Sequence, residues 1–348
     1  MQTAMPTPSR ISPSSRTTRP VRLVIQIPCY NEAATLAAAL VGIPSTIPGV
    51  TCIETLVIDD GSVDDTVSVA RRLGVDYIVQ HGQNRGLARA FQTGLDYALR
   101  LGADVIVNTD GDNQYVAAEI PRLVAPVLSG EADVVIGDRQ PQHNRHFSFI
   151  KRWLQKWGSW TVRNISGTDV PDAASGFRAY SREAALRLNV LSQYSYTLET
   201  IIQAGKLGLV VISIPVKTNA PTRPSRLQRN MWHFIKEQGG TILRIYAFYE
   251  PLRTFTYLAI PFLLAGAGLW LRFLAYYLFL RLQADRFIQS VTIGTGLLVV
   301  GVLIFVFGIL ADIAGKHRQL TQEVLYRLKK LEIEENTLLQ GDNTEIKL

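Results

Sequence analysis

Val105-Ile-Val-Asn-Thr-Asp110-Gly-Asp112-Asn-Gln114 decides the fold: an apolar run that stops abruptly in two carboxylates one residue apart. Val105 to Val107 is too short for a helix and β-branched throughout, so it reads as a buried strand whose carboxyl end carries Asp110 and Asp112. Carboxylates this close repel each other in a partly dry crevice, and a divalent cation that also holds substrate phosphate oxygens relieves them. Gln114 can add a neutral oxygen to the same cation. An isolated D-x-D is more often a plain turn with an Asx-type cap, so the surrounding chain has to decide.

Two other strands end the same way. Val21 to Ile27 stops at Pro28-Cys-Tyr-Asn-Glu32, and Thr55 to Ile58 stops at Asp59-Asp60-Gly61-Ser62. A helical pattern follows each, which places these polar clusters at the carboxyl ends of strands in a βαβ series, the edge where open parallel sheets bind ligands. Asn31 can cap a helix from Ala33 to Val41, and Ser62-x-x-Asp65 has capping-box spacing for a helix reaching about Leu73. A strand at Val75 to Val79 and a helix from Gly86 to Leu101, with Gly102 as its C-cap, come next. A helix from Val116 to Leu128 and strands at Ala132 to Ile136 and Leu207 to Val216 complete the alternation. The fold class expected is therefore α/β: a Rossmann-like, doubly wound, mostly parallel sheet over residues 21–226, preceded by a disordered basic tail at 1–20.

The set Pro28-x-Tyr30-Asn31-Glu32, Asp59-Asp60-Gly61-Ser62 with Asp64, Asn84-x-Gly86, Asp110-x-Asp112-x-Gln114 and Gly137-x-Arg139 resembles the family-two glycosyltransferases of the GT-A fold. Within them it is closest to the dolichol-phosphate mannose synthases and the bacterial polyprenyl-phosphate glycosyltransferases. The resemblance implies a nucleotide sugar lying against Pro28, Tyr30, Glu32, Asp59 or Asp60, and Asp110. It implies Mg²⁺ or Mn²⁺ on Asp110, Asp112 and Gln114, neutralising the leaving diphosphate. Asp172-Ala-Ala-Ser-Gly176-Phe177-Arg178 resembles the segment that carries the catalytic carboxylate, so Asp172 joins Asp112 as a catalytic candidate, either as base or as the orienter of an arginine. The acceptor phosphate is already anionic and needs orientation more than a base. Arg139, Arg152, Arg223 and Arg226, with Ser225 in the same Pro-rich loop, are the candidates for holding it, because guanidinium forks match phosphate oxygens. Phe149-Ile-Lys-Arg152-Trp153 approaches the Q-x-x-R-W signature of processive polysaccharide synthases, but position 149 is Phe, which weakens that alternative.

Composition narrows the partners. The chain has 348 residues, a formal net charge of +7 and a pI near 9.4. Its basic residues gather from Arg139 onward and beside the apolar C-terminal third, which fits a lipid phosphate or anionic membrane surface better than a nucleic acid. The two cysteines, Cys29 and Cys52, fall at the site edge and in a connector, so no structural disulfide is expected and a reducing cytoplasm is the default. The five histidines show no zinc pattern; His143-x-x-His146 sits in a polar loop.

Beyond the sheet, residues 227–253 mix aromatic and basic side chains as a helix in a membrane interface would. Thr254 to Leu271 is uncharged and would span about 27 Å as a helix, and Ile288 to Leu310 about 34 Å, both enough to cross a bilayer. The first can continue to Leu280 with Arg272 snorkelling. A membrane hairpin over 254–311 with the catalytic domain and both termini in the cytoplasm follows from the flanking Lys and Arg residues. In the tail, residues 312–348, Leu320, Val324, Leu328 and Leu331 recur at helical intervals, an amphipathic face for the membrane or for a neighbouring copy in a homo-oligomer. The function expected is transfer of one sugar from a UDP- or GDP-linked donor to an undecaprenyl or dolichyl phosphate. Rivals are a nucleotidyltransferase or phosphatase using the same acidic edge and a non-catalytic membrane scaffold that kept the fold.

Overall fold

Eight apolar-rich residues, Arg22–Cys29, form the first strand, β1, and all of them except Arg22 are buried. The computed structural model describes residues 20–140, 163–190, 196–219, 249–280 and 288–342. Most of the N-terminal tail, the stretch from Phe149 to Trp153, the Pro-rich loop from residue 220 and the interfacial segment up to residue 248 lie outside these residues. The elements that follow β1 are α1 (Leu36–Val41), β2 (Cys52–Asp59), α2 (Thr66–Arg72), β3 (Tyr77–Gln80), α3 (Leu87–Arg100) and β4 (Val105–Asn108). Next come α4 (Ile120–Leu128), β5 (Val134–Asp138), β6 (Arg178–Ser181), α5 (Arg182–Arg187), α6 (Tyr196–Lys206) and β7 (Val211–Pro215).

The sheet order is β3-β2-β1-β4-β6-β5-β7. All pairings are parallel except those of β6, which lies antiparallel between β4 and β5. Apolar residues alternate between two covered faces, with Val24, Ile106, Val134 and Ile136 on the α3, α5 and α6 side and Leu23, Ile25, Val107 and Val135 on the α4 side. Coverage on both faces is why the strands read as unbroken apolar runs.

Two features of this topology open the site. β1 pairs with β4 only as far as Gln26 and Asn108, whereas its pairing with β2 continues to Cys29 and Asp59. Gln26 meets β4 by accepting from Thr109 N–H, so Pro28, two residues on, faces the same side, where β4 has already ended and no N–H is needed. The crevice thus forms at the switch point between β1 and β4. Because β6 enters from the carboxyl edge, the loop before it is delivered beside the end of β4, an arrangement that parallel alternation alone does not provide.

The helical expectations hold in kind and shift in detail. Asn31 is not a cap: its φ is +55°, and its side chain instead accepts from Val63 N–H at 2.9 Å, while α1 begins five residues later. Ser62 and Asp65 form no capping box either, since Ser62 Oγ accepts from Asn31 N–H at 2.9 Å and Asp65 makes no side-chain cap bond. Long-range partners across the two strand ends outcompete the local caps.

Two C-terminal helices are long and apolar enough to cross a membrane. α7 (Pro251–Ala275) continues through a π-helical turn at Tyr276–Leu280, so Arg272 does not end it; α8 runs unbroken from Ile288 to Asp342. They pair along a small-residue seam. A Cβ at Gly301 would meet the Leu263 side chain at 2.7 Å, and one at Gly308 would meet Phe255 at 2.7 Å, so these backbones approach in the way small residues permit in lipid-facing helix pairs.

Candidate active site

The loops after β1 and β2 clasp each other. Besides the Asn31 bonds, Glu32 N–H donates to Thr66 Oγ1 at 2.9 Å and Ala33 N–H donates to Asp64 Oδ2 at 3.1 Å. Burial works against the Asp64 charge, but hydrogen bonds from the Thr66 hydroxyl and the Ala33 and Thr66 amides outweigh it and hold the carboxyl below its usual range. Glu32 is mostly buried and accepts from Thr35 Oγ1 at 2.7 Å, while Tyr30 remains 39% exposed at the rim.

Asp59 and Asp60 divide their work. Asp59 is buried and accepts from Ser62 N–H at 3.2 Å. Asp60 Oδ1 accepts from Arg85 N–H at 2.9 Å and lies 2.7 Å from His81 Nδ1, and its Oδ2 accepts from Gly86 N–H at 2.8 Å. Both Asp60 oxygens are therefore occupied by the loop that leads into α3, which explains the Asn84-x-Gly86 pattern: Gly86 takes φ +90° at the start of that helix. Asp60 thus ties the end of β2 to the start of α3.

At the end of β4, Asp110 is pushed up to about 7, chiefly by burial and then by the charge of Asp112, with Arg139 pulling the other way. A carboxyl held in this condition suits a divalent cation. Among the described residues no three acidic, His or Cys side chains converge into a closed cage. Two adjacent carboxylates, with water and phosphate oxygens completing the shell, match the sparse protein ligation typical of Mg²⁺ sites, so the residues fit such an ion. Gln114 is partly committed: its N–H donates to Asp112 Oδ1 at 3.0 Å and its Oε1 accepts from Arg139 Nη1 at 3.4 Å. Gly111 between the carboxylates is required sterically, because a Cβ there would stand 2.8 Å from Cys29 Sγ. That thiol is kept protonated by burial and by the neighbouring charges of Glu32, Asp59 and Asp110.

Asp172 grips Arg139 with both oxygens: Nε donates to Oδ2 at 2.7 Å and Nη2 to Oδ1 at 3.0 Å. Burial opposes the guanidinium charge, and the oxygens of Tyr115, Asp172 and Asp110 outweigh it, so Arg139 stays charged. The structure thus brings Asp110, Asp112, Gln114, Arg139 and Asp172 together at one end of the sheet and Pro28, Tyr30, Glu32 and Asp59 across the crevice. Arg152, Arg223, Ser225 and Arg226 lie outside the described residues.

Arg178 was not singled out by sequence. It is fully buried, and its guanidinium donates to the carbonyls of Ala173 (2.9 Å), Ser175 (2.7 Å) and Thr197 (2.8 Å) and to Thr200 Oγ1 (2.7 Å). It fastens the loop from Asp172 to Gly176 onto α6. Asn108 Nδ2 adds a bond to Gly176 O at 2.8 Å, and the Tyr115 hydroxyl accepts from Gly176 N–H at 3.0 Å. A Cβ on Gly176 would lie 2.6 Å from the Tyr196 hydroxyl and 3.2 Å from Asp110 Oδ1. The only sequence signal was an arginine flanked by Phe177 and Ala179 in a buried-strand pattern.

A GT-A-type sheet with an acidic pair at its switch point defines a class of nucleotide-sugar-dependent transferases. The model of glycosyl transferase family 2 matches residues 24–188. An uncharacterized glycosyltransferase of Mycobacterium tuberculosis is 32% identical over 56% of this chain and 84% of its own, and the chain belongs to glycosyl transferase family 2. The polyprenol monophosphomannose synthase of Mycolicibacterium smegmatis is 29% identical, covering 60% of this chain and 79% of that one. Among solved structures, glucosyl-3-phosphoglycerate synthase from Mycobacterium tuberculosis in complex with Mn²⁺, UDP and phosphoglyceric acid superposes with a TM-score of 0.52 at 20% identity, covering 65% of this chain and 78% of that one. That likeness establishes the fold.

Proposed function

We propose that this glycosyltransferase moves one sugar from a UDP- or GDP-linked donor to the phosphate of a polyprenyl carrier at the cytoplasmic face of a membrane, with inversion at the anomeric carbon. The observation that carries the reading is the facing of two charge systems. The Asp110–Asp112 pair suits a cation-bound diphosphate, and the Asp172-locked Arg139 guanidinium suits a second anion a short way along the same edge. The apolar helices α7 and α8 on the same chain and the polyprenol-phosphate activity named for the mycobacterial relative support a lipid acceptor. The Mn²⁺ and UDP held by the structural neighbour support a metal-bound nucleotide donor.

In this reading Asp110 and Asp112, with Gln114 beside them, would hold Mg²⁺ or Mn²⁺, which would supply charge neutralisation for a departing diphosphate. Tyr30 and Asp59 line the nucleotide end, and Asp60 keeps the wall of that pocket in shape. Asp172 positions: with both oxygens on a guanidinium it is a poor base, and the ionised acceptor phosphate does not need one. Arg139 orients that phosphate, together with Arg152, Arg223, Ser225 and Arg226 as candidates. The test is a panel of UDP- and GDP-sugars labelled in the sugar, incubated with solubilised protein, Mn²⁺ and polyprenyl phosphate. Label in the lipid phase is expected with one donor. Label only in water-soluble or polymeric product sinks the reading.

A further inference from the structure

Past its apolar stretch α8 does not stop. It climbs the catalytic domain by one face. The Arg318 guanidinium lies 4.9 Å over the Tyr249 ring, beside Gln203 and Lys206 of α6. The Tyr326 hydroxyl donates to Glu183 of α5 at 3.0 Å, with Arg187 stacked 4.5 Å over its ring. Lys329 pairs with Asp96 of α3 at 2.7 Å, Glu332 with Arg100 at 3.0 Å, and Ile333 is buried in the core on that side. The amphipathic face expected from sequence points elsewhere: Leu320, Val324, Leu328 and Leu331 are all exposed.

The order of these contacts fixes a direction. α8 meets α6, then α5, then α3, the three helices on one face of the sheet. α6 packs on β7, and α3 packs on β1 and β2. α8 therefore travels across the strands from the β7 side toward β1.

Resting on the reading of α7 and α8 as a membrane hairpin, we infer that the cytoplasmic part of α8 is a strut that stands the sheet on edge above the bilayer, β7 lowest and β3 highest. The strand order then becomes a scale of height. With neighbouring strands about 4.8 Å apart, the end of β2 lies about 24 Å above β7, five strand steps away. Arg139, at the end of β5, is one step from β7, and the carboxylates at the end of β4 are three. The lipid phosphate thus comes up to the arginine end of the crevice, while the nucleotide enters from the water at the β2 end. The strut sets the distance between them and the bilayer.

The test uses the full-length protein with Cys52→Ser, leaving only the buried Cys29, and a fluorophore on Val210→Cys before β7 or on Val63→Cys after β2, both exposed positions. In vesicles carrying an acceptor dye on the headgroups, the Val210 site is expected to lie closer to the lipid than the Val63 site. Seven residues inserted after Ala314 add two turns and keep the docking face within about 20°; both labels should then recede by about 10 Å. Transfer to polyprenyl phosphate in those vesicles should fall at least about tenfold, while transfer in detergent micelles persists. Equal or reversed heights, or labels unmoved by the insertion, overturn the strut. Absence of transfer by the parent in both settings would instead sink the proposed function, and the label heights would still judge the strut.

Discussion

Replacing Asp60 with Asn tests whether this carboxylate builds the pocket or binds the donor directly. Its oxygens receive the Arg85 and Gly86 amides at 2.9 and 2.8 Å and contact His81 Nδ1 at 2.7 Å, all in a buried setting. Asn supplies one acceptor oxygen instead of two, and its NH₂ must face a backbone N–H. One charge-assisted bond worth about 1.5–3 kcal/mol is lost, and the remaining ones fall to neutral strength. Gly86 N–H keeps a fallback acceptor in Asn84 Oδ1 at 3.1 Å, which limits the damage. A net cost of about 2–3 kcal/mol follows, equivalent to a fall of roughly 4–12 °C in Tm for a domain of this size. Melting of the detergent-solubilised protein, followed by tryptophan fluorescence, measures it. The KM for the nucleotide sugar should rise with the loosened loop, while the acceptor KM stays put. An unchanged Tm with a large loss of donor binding would refute the structural role and restore Asp60 to direct contact.

Asp110→Asn or Asp112→Asn should leave the fold intact and abolish the thermal stabilisation that Mn²⁺ with a diphosphate nucleotide gives the parent; full turnover in either purified variant would remove this edge as the metal site. Gly176→Ala drives a methyl toward the Tyr196 hydroxyl and the Asp110 carboxylate, so kcat should drop at least about tenfold with the donor KM changed less, as single-substrate kinetics would show. Arg178→Lys keeps the charge but cannot reach the same set of carbonyls, so it should lower both Tm and kcat, with Arg178→Met worse in both. Because the Asp64 carboxyl is held below its usual range in the folded state, its stabilising contribution is full above about pH 4 and is lost as pH falls through the lowered value. Acid titration of Asp64→Asn should accordingly show a shallower loss of stability than the parent.

Sequence by itself determined the class of fold and the sheet edge at which the candidate residues gather. Apolar runs of strand length, each ending in Asp, Asn or Glu, are local facts, and they named Asp59, Asp110 and Asp112 and the parallel sheet beneath them. The two long uncharged stretches marked α7 and most of the apolar part of α8 for the same reason, since length and hydropathy are summed along the chain. Tertiary structure alone decided which partners each carboxylate holds. Asp59 and Asp60 are indistinguishable in sequence, and only the arrival of residues 81–86, more than twenty positions later, commits Asp60 to holding a loop. The antiparallel entry of β6 brings Asp172 to Arg139 and Gly176 to Asp110, and it buries Arg178 among carbonyls, none of which a local pattern encodes. Hydrophobic spacing picked out one face of α8, that of Leu320 and its periodic neighbours, which is exposed, and gave no sign of the second face, where Tyr326, Lys329 and Ile333 make the contacts with the catalytic domain. Periodicity records which side of a helix is apolar. What that side meets is set by partners far away in the chain, through hydrogen bonds and charges whose strength depends on the burial that folding creates.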